Sequence, residues 1–365
     1  MQFSTKNTKK VFMLTISAFI LSSFSISAKA AEEPIKLEGY IDSYIAMDND
    51  SNVMFDTSKD KKRATNNRGL NALGFRKNEF NLNMAQLSVS KNADWYRGRF
   101  TLAYGTTPLQ SWTTEYLPIQ EAYAGIKAYD NLWIDAGIFL THIGVESLLP
   151  KNNHLSLLSL TTMYEPFYQS GVKISYKPVD QFEACLHVLN GLGIIEDNNN
   201  DKSLGWLLSY SPNASFNITD SGSIGNEEKA GDPATFLAFN NLNLSYQPID
   251  PLSLKASVDI AMKSNAMSNL YYSGLLSGKY AINKNFALSL RGEMTNDDKK
   301  VLTVGTNGLG VTAGLEFKPT DNSYLRLEGR QLMLANNTEN QVFKDAAGAA
   351  SSSRLEGMLS MGVYF

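Results

Sequence analysis

The stretch Arg354-Leu355-Glu356-Gly357-Met358-Leu359-Ser360-Met361-Gly362-Val363-Tyr364-Phe365 alternates along its whole length. Leu355, Gly357, Leu359, Met361, Val363 and Phe365 share one face. Arg354, Glu356, Met358, Ser360, Gly362 and Tyr364 share the other. A period of two puts successive side chains on opposite sides of a strand. A closed barrel in lipid needs this pattern, because its outward face meets hydrocarbon and its inward face meets water. A soluble sheet can carry the same pattern, so the remainder of the chain decides the setting.

The opposite end supplies a compartment. Lys6, Lys9 and Lys10 precede an apolar stretch from Val11 to about Phe24, and Ala28-Lys29-Ala30 offers a small-x-small cleavage site. This predicts a secretory signal peptide over 1–30, cleaved before Ala31, with a mature domain over 31–365. An N-terminal anchor is the alternative, but the apolar core is short for a span. No cysteine lies near the cleavage site to carry a lipid. Beyond residue 30 no apolar run of roughly 18 residues exists, which excludes a transmembrane helix. The sole cysteine, Cys185, cannot form an intrachain disulfide. Removing Lys6, Lys9, Lys10 and Lys29 from 33 basic residues leaves 29 against 36 acids, about −7 formally, which disfavours a nucleic-acid partner.

Connections alternate between tight and long. A strand over 35–47 is followed by the polar segment 48–77. Strands over 78–90 and 95–105 meet at Lys91-Asn92-Ala93-Asp94, and those over 119–129 and 132–141 meet at Asp130-Asn131. Strands over 167–177 and 181–190 meet at Pro178-Val179-Asp180. The strand over 203–211 turns at Pro212-Asn213 into a short one over 214–219. Pro248-Ile249-Asp250 joins 235–247 to 251–263, and Ile282-Asn283-Lys284 joins 270–281 to 285–294. Pro319-Thr320-Asp321-Asn322 joins 309–318 to 323–333, and the terminal run becomes strand sixteen.

Each tight turn carries Pro, Asn or Asp, whose backbone preferences suit turns. All the long connections fall at the other end. Outer-membrane barrels have this asymmetry: short periplasmic turns, long extracellular loops and an even strand number. The predicted fold is therefore an all-β, up-and-down transmembrane barrel of sixteen strands. Fourteen would result if the short 214–219 segment dropped out and its neighbours re-paired.

Facing follows from charge. Phe100, Leu102 and Tyr104 alternate with Arg97, Arg99 and Thr101, and Val172, Ile174 and Tyr176 with Lys173 and Ser175. Leu288 and Leu290 alternate with Arg291 and Glu293, and Leu325 and Leu327 with Arg326, Glu328 and Arg330. An Arg or Lys on the lipid face costs roughly 2–4 kcal/mol at the midplane, so these charges must point inward. The predicted lumen-lining ladder is Arg97, Arg99, Lys173, Arg291, Glu293, Glu316, Arg326, Glu328 and Arg330. Crossed basic and acidic faces would set up a transverse field that sorts solutes. Alternatively, opposite charges satisfy each other across neighbouring strands. The mixture of signs favours neither strong anion nor strong cation selectivity, and leaves ion selectivity open. Tyr104, Tyr176, Tyr210, Tyr246 and Phe365 fall near strand ends, where interfacial girdles belong. Between Phe80 and Val89 the apolar face switches parity, which predicts a bulge.

The chain resembles the OmpL-like β-barrel porin family of Gram-negative envelopes over most of its mature length. The motifs are Glu38-Gly39-Tyr40-Ile41-Asp42, Glu121-Ala122-Tyr123, Ala136-Gly137-Ile138-Phe139, Thr141-His142-Ile143-Gly144-Val145-Glu146, Asn190-Gly191 and Arg326-Leu327-Glu328-Gly329-Arg330, in the family's order. An aromatic in place of Val145 would suit the family better. The resemblance implies an outer-membrane channel and adds little about its substrates.

Segment 142–166 is the third long connection. Folded inward it would narrow the pore, with Glu146, Lys151 and His154 at the constriction; folded outward it is a surface loop. Leu155, Leu157, Leu158 and Leu160 favour burial, since an exposed loop has little use for them. Asp48-Asn49-Asp50-Ser51-Asn52 begins like a calcium loop, but Val53 and Lys59 occupy its glycine and glutamate positions, so an ordinary polar loop is expected. Asn198-Asn199-Asn200-Asp201 has the same plain reading.

A barrel-wall hydrolase would need a Ser/His pair. Only His142, His154 and His187 exist, and His187 is expected inward beside Glu183 and Cys185. With no nucleophile elbow or metal-ligand spacing, no catalytic residue, metal site or cofactor is expected.

The expected function is passive diffusion of small hydrophilic solutes through a water-filled outer-membrane barrel. The alternative is a narrow or plugged barrel serving as an adhesin or structural envelope protein. Expected partners are outer-membrane lipid, the solutes and the barrel-assembly machinery, which would read the strand ending at Phe365; a homotrimer of the chain stays open, because pattern alone does not separate a trimer face from a lipid face.

Overall fold

Alternating segments joined by tight turns pair as antiparallel neighbours, and here the pairing runs round a closed circle. The computed structural model describes residues 33–365 apart from 52–53, 56–63, 66–67, 265–268, 304 and 336–341. The predicted signal peptide lies outside the described residues. The strands are β1 (Lys36–Asp48), β2 (Phe80–Asn92), β3 (Tyr96–Tyr104), β4 (Ile119–Tyr129), β5 (Leu132–Leu140), β6 (Tyr168–Val179), β7 (Phe182–Leu189) and β8 (Ser203–Asn213). They continue with β9 (Phe216–Asn226), β10 (Phe236–Ile249), β11 (Leu252–Lys263), β12 (Leu270–Ala281), β13 (Phe286–Asn296), β14 (Gly308–Phe317), β15 (Ser323–Leu334) and β16 (Ser353–Tyr364).

Each strand pairs with its sequence neighbours, and β1 pairs with β16 to close the barrel. Closure leaves no open edge, as lipid requires. At the seam Tyr40 lies opposite Tyr364 and Ile45 opposite Leu359. Gly39 and Phe365 exchange backbone hydrogen bonds of 2.9 and 3.1 Å. Gly39 has no side chain where the Phe365 ring rests; a Cβ there would collide with it. No described helix is long and apolar enough to cross a membrane.

Two details differ from the sequence expectation or sharpen it. The ninth strand is not short: it runs Phe216–Asn226, into residues expected as loop. With it in place the count is sixteen, and the fourteen-strand alternative falls. The bulge in β2 is present. Asp42 pairs with Met84 and Ser43 with Leu82, so Asn83 is the extra residue, and its Nδ2 donates to the Asp42 carboxylate at 2.7 Å.

Leucines, valines and aromatics cover the outward face, with Leu276, Leu290, Leu327 and Leu355 all more than half exposed. One carboxylate breaks the pattern. Ser221 points inward to Asn241, so its neighbour Asp220 points outward. There Asp220 accepts from Trp206 Nε1 at 2.8 Å and from Asn240 Nδ2 at 3.0 Å. Gly222 leaves the room that the Trp206 ring occupies.

Candidate functional site in the barrel lumen

The connection between β5 and β6, residues 141–167, turns into the barrel. Leu155, Leu157, Leu158 and Leu160 are at most 1% exposed. Burying irregular backbone strands its N–H and C=O groups unless something pairs with them. The inner wall provides the partners. Arg326 donates to the Pro150 carbonyl at 2.8 Å and to the Asn153 carbonyl at 3.0 Å. Glu328 accepts from the N–H of Ser156 at 2.5 Å and of Leu157 at 2.8 Å. Arg291 donates to the Leu157 carbonyl at 2.5 Å, and Arg330 to the Leu158 carbonyl at 2.9 Å. Guanidiniums take the carbonyls and a carboxylate takes the amides, each through a charge-assisted bond.

The loop's own polar side chains reinforce this seat. Glu146 accepts from Arg291 at 2.7 Å and from the Ser159 N–H and the Thr162 hydroxyl, both at 2.9 Å. Burial alone would raise its pKa, but Arg291 and these donors outweigh that and hold it below the usual carboxylate range. The His154 ring bridges the Ser277 and Ser253 hydroxyls at 2.8 and 3.0 Å. Burial, helped by Lys255 and Lys279, pushes its pKa down to about 3. Lys151 lies over the Tyr40 and Tyr364 rings, 5.4 and 4.9 Å from their centroids.

At the loop's root the His142 ring stacks on His187 at 4.0 Å, and its Nε2 lies 3.0 Å from the Gly222 carbonyl. Burial takes the His142 pKa down to about 4. Gly144 has φ +102°, and the Glu165 carboxylate fills the space a Cβ would need, so the position demands glycine. Glu165 itself is buried; desolvation first, then Asp259 and Glu146, raise its pKa well above the ordinary value.

The first loop packs beside the third. Arg68 is bonded to Glu356, to Asp48 at 3.1 Å and to the Gly74 carbonyl at 2.7 Å. Arg330 and Arg354 reach the same Glu356 at 2.9 and 2.8 Å, so three guanidiniums surround one carboxylate. Lys77 takes the other oxygen of Asp48 at 2.8 Å, so this carboxylate at the start of the calcium-loop-like segment is already occupied.

The expected ladder is thus split between two settings. Arg291, Glu293, Glu316, Arg326, Glu328 and Arg330 point inward but are buried, most of them beneath the third loop. Arg97, Arg99 and Lys173 face inward from β3 and β6, partly exposed, and pair with Asp135 and Glu121. Glu146 and His154 fasten the loop, while Lys151 keeps some exposure. The sequence reading turned Asp259 inward with Lys255 and Ser257, but it missed Arg68, Glu165, Arg354 and Glu356. Arg354 and Glu356 stand on the polar face of the terminal run and carried a signal; Arg68 lies in a segment without periodicity and carried none. Among the described residues no group of three or more His, Cys, Asp or Glu could hold a metal ion.

The family described as "Putative beta-barrel porin-2, OmpL-like" matches residues 34–365. Comparison with curated proteins returns no match. Among solved structures, the outer membrane channel DcaP of Acinetobacter baumannii is 12% identical with TM-score 0.59, over 93% of this chain and 99% of that one. The anion-selective porin from Comamonas acidovorans is 10% identical with TM-score 0.57, over 91% and 99%. In-vitro folded OmpT of Vibrio cholerae in its trimer form is 12% identical with TM-score 0.56, over 91% and 99%. At such identities the structural likeness speaks for the fold, while the family match spans all sixteen strands. The chain therefore belongs to the OmpL-like β-barrel porin family, and its barrel is an outer-membrane porin channel.

Proposed function

We propose that small hydrophilic solutes diffuse down their gradients through the part of the lumen that the third loop leaves open. The observation that carries this reading is the division of the inner wall. From β11 round to β16 the wall is taken up with holding the loop. Beyond that arc, along β8, β9 and β10, Ser209, Ser211, Asn217, Thr219 and Ser245 face inward, polar and only half-buried. The loop acts as the constriction: Glu146 and His154 fix its position, and Lys151 fronts the passage.

The channel works without catalysis or cofactor. The mature chain, from Ala31, sits among outer-membrane lipids after the assembly machinery has read the strand ending at Phe365, and it has no nucleic-acid partner. It assembles as a homotrimer, with the face that carries Asp220 turned toward a second copy.

Planar-bilayer recording of the purified chain tests the reading: stepwise ion conductance is expected, and its repeated absence would overturn it. The depth at which the third loop is packed favours one other reading, a closed barrel used as an adhesin or structural envelope protein, and the same recording separates the two.

A further inference from the structure

We infer that the passage selects compact anions, a reading that rests on the porin function proposed above. The formal count of charges conceals the reason, because the lumen does not present both signs equally. Side chains of Arg97, Arg99, Lys173 and Lys279 are each 23% exposed. Apart from Glu38, which also reaches Arg99, their acidic partners are not: Asp135 is 0%, Glu121 8% and Glu316 4% exposed. Each pair is layered, with the carboxylate against the wall and the cation on the lumen side. At these pairs a solute in transit therefore meets the guanidinium or ammonium donor before the carboxylate behind it.

Two further bases carry no ion pair among the described residues. Lys151 is held by the Tyr40 and Tyr364 rings, and Lys255 donates to the Asn152 carbonyl at 3.2 Å. Aromatic faces recur under two of the other cations. Arg97 lies 4.6 Å from the Trp133 ring, and Lys173 lies 5.5 Å from Tyr123 and 5.3 Å from Phe139. A ring face positions a cation without cancelling its charge, as a carboxylate would.

Among the described residues, the exposed acids on this wall are Glu38, which bonds Arg99 at 2.7 Å, and Glu183, close to the turn between β6 and β7. All six bases lie toward the tight-turn end or on the third-loop segment that reaches it, so their fields add over one short stretch. A confined passage lined by one sign concentrates counter-ions, and rings of Arg and Lys serve as filters in anion and phosphate pores. Charges within a Debye length of the solute path, roughly 8–10 Å at physiological salt, are only partly screened.

The test is the reversal potential of the purified full chain in a planar bilayer under a KCl gradient. Chloride preference is expected. Lys151→Glu combined with Lys255→Glu should shift the reversal potential toward, or past, that of a cation-preferring pore. The milder Lys151→Gln with Lys255→Gln should shift it the same way by less. Lys284→Glu, in an exposed turn, should leave it unchanged. Heat-dependent gel migration checks that each variant folds. A potassium-preferring wild type, or variants that fold and conduct with unaltered reversal potential, would overturn this inference while leaving the porin reading intact. A wild type that never conducts would overturn both.

Discussion

His154 carries the clearest single-residue consequence. Its pKa is about 3 in the fold, against about 6.5 for an ordinary histidine. Between those values the unfolded chain binds a proton that the folded chain refuses. The stability this site contributes is therefore complete above about pH 6.5 and falls as pH drops toward 3, by up to about 1.4 kcal/mol per pH unit. His142, with its pKa near 4, acts in the same direction. Acidification should loosen the third loop, and the thermal midpoint should fall from neutral pH to about pH 5. His154→Gln should flatten part of that slope; an unchanged slope would remove His154 from the account. Arg330 makes the opposite point about legibility. Alternation along β15 is enough to turn it inward, but the arrangement of three guanidiniums round Glu356 depends on Arg68, and no period betrays where Arg68 goes. Arg330→Ala leaves the Leu158 carbonyl without its donor and weakens the balance at a buried carboxylate. Breaking one member of such a buried network costs about 3–5 kcal/mol. Urea unfolding of the reconstituted barrel should show a loss of that order; a loss within error would mean that water replaces the guanidinium.

Among the elements, strands were legible wherever one face meets lipid, because hydrocarbon tolerates no exception and the period of two survives intact. Turns were legible because Pro, Asn and Asp mark them. The third loop was half legible: its leucines announced burial, while the charged residues that seat it looked like a pore lining. Both uses need inward charges, and a strand pattern cannot tell water from a loop as the thing they face. The end of β16 adds a prediction of its own. Phe365 closes the seam through its two backbone bonds to Gly39, and its ring covers that glycine on the outside. Deleting Phe365 removes both bonds and an outward-facing ring, and takes no inward-facing side chain from the wall. Membrane yield should fall clearly, and the channels that do assemble should keep wild-type conductance. Normal yield would leave Phe365 as a girdle aromatic with no part in assembly. The element misjudged by sequence was β9, cut at residue 219 where it runs to Asn226. Its outward row reads Phe216, Ile218, Asp220, Gly222 and Ile224, and the middle of that row is not a lipid-facing pattern.

For the whole molecule, that break says which part of the wall is not meant for lipid. Asp220 lies four residues in from Phe216, whose ring packs on Tyr246 at the tight-turn rim. At a rise near 3.3 Å per residue and a strand tilt near 40°, that is roughly 10 Å deep in an apolar band about 25 Å tall. A carboxylate there is costly, and the bonds from Trp206 and Asn240 use only part of its accepting capacity. Trp206 is itself out of place, since tryptophan in membrane barrels gathers at the rims, whereas buried tryptophan anchors protein contacts. A polar cluster with a large aromatic, set among leucines, suits a protein neighbour better than acyl chains. In the homotrimer proposed here, the face formed by β8, β9 and β10 is accordingly the one that meets another protomer. A photo-reactive benzoylphenylalanine replacing Leu242, which lies opposite Asp220 in the register, should capture a second copy on irradiation of the purified channel. The same residue replacing Leu327, on the leucine-rich wall of β15, should not. Asp220→Leu should weaken the oligomer in detergent while leaving single-protomer folding intact, because it removes a charge from the outer wall without touching the lumen. Capture from position 327 alone would move the protomer contact to β15, and a wild-type chain that is monomeric in mild detergent would end the trimer proposal and return Asp220 to the lipid.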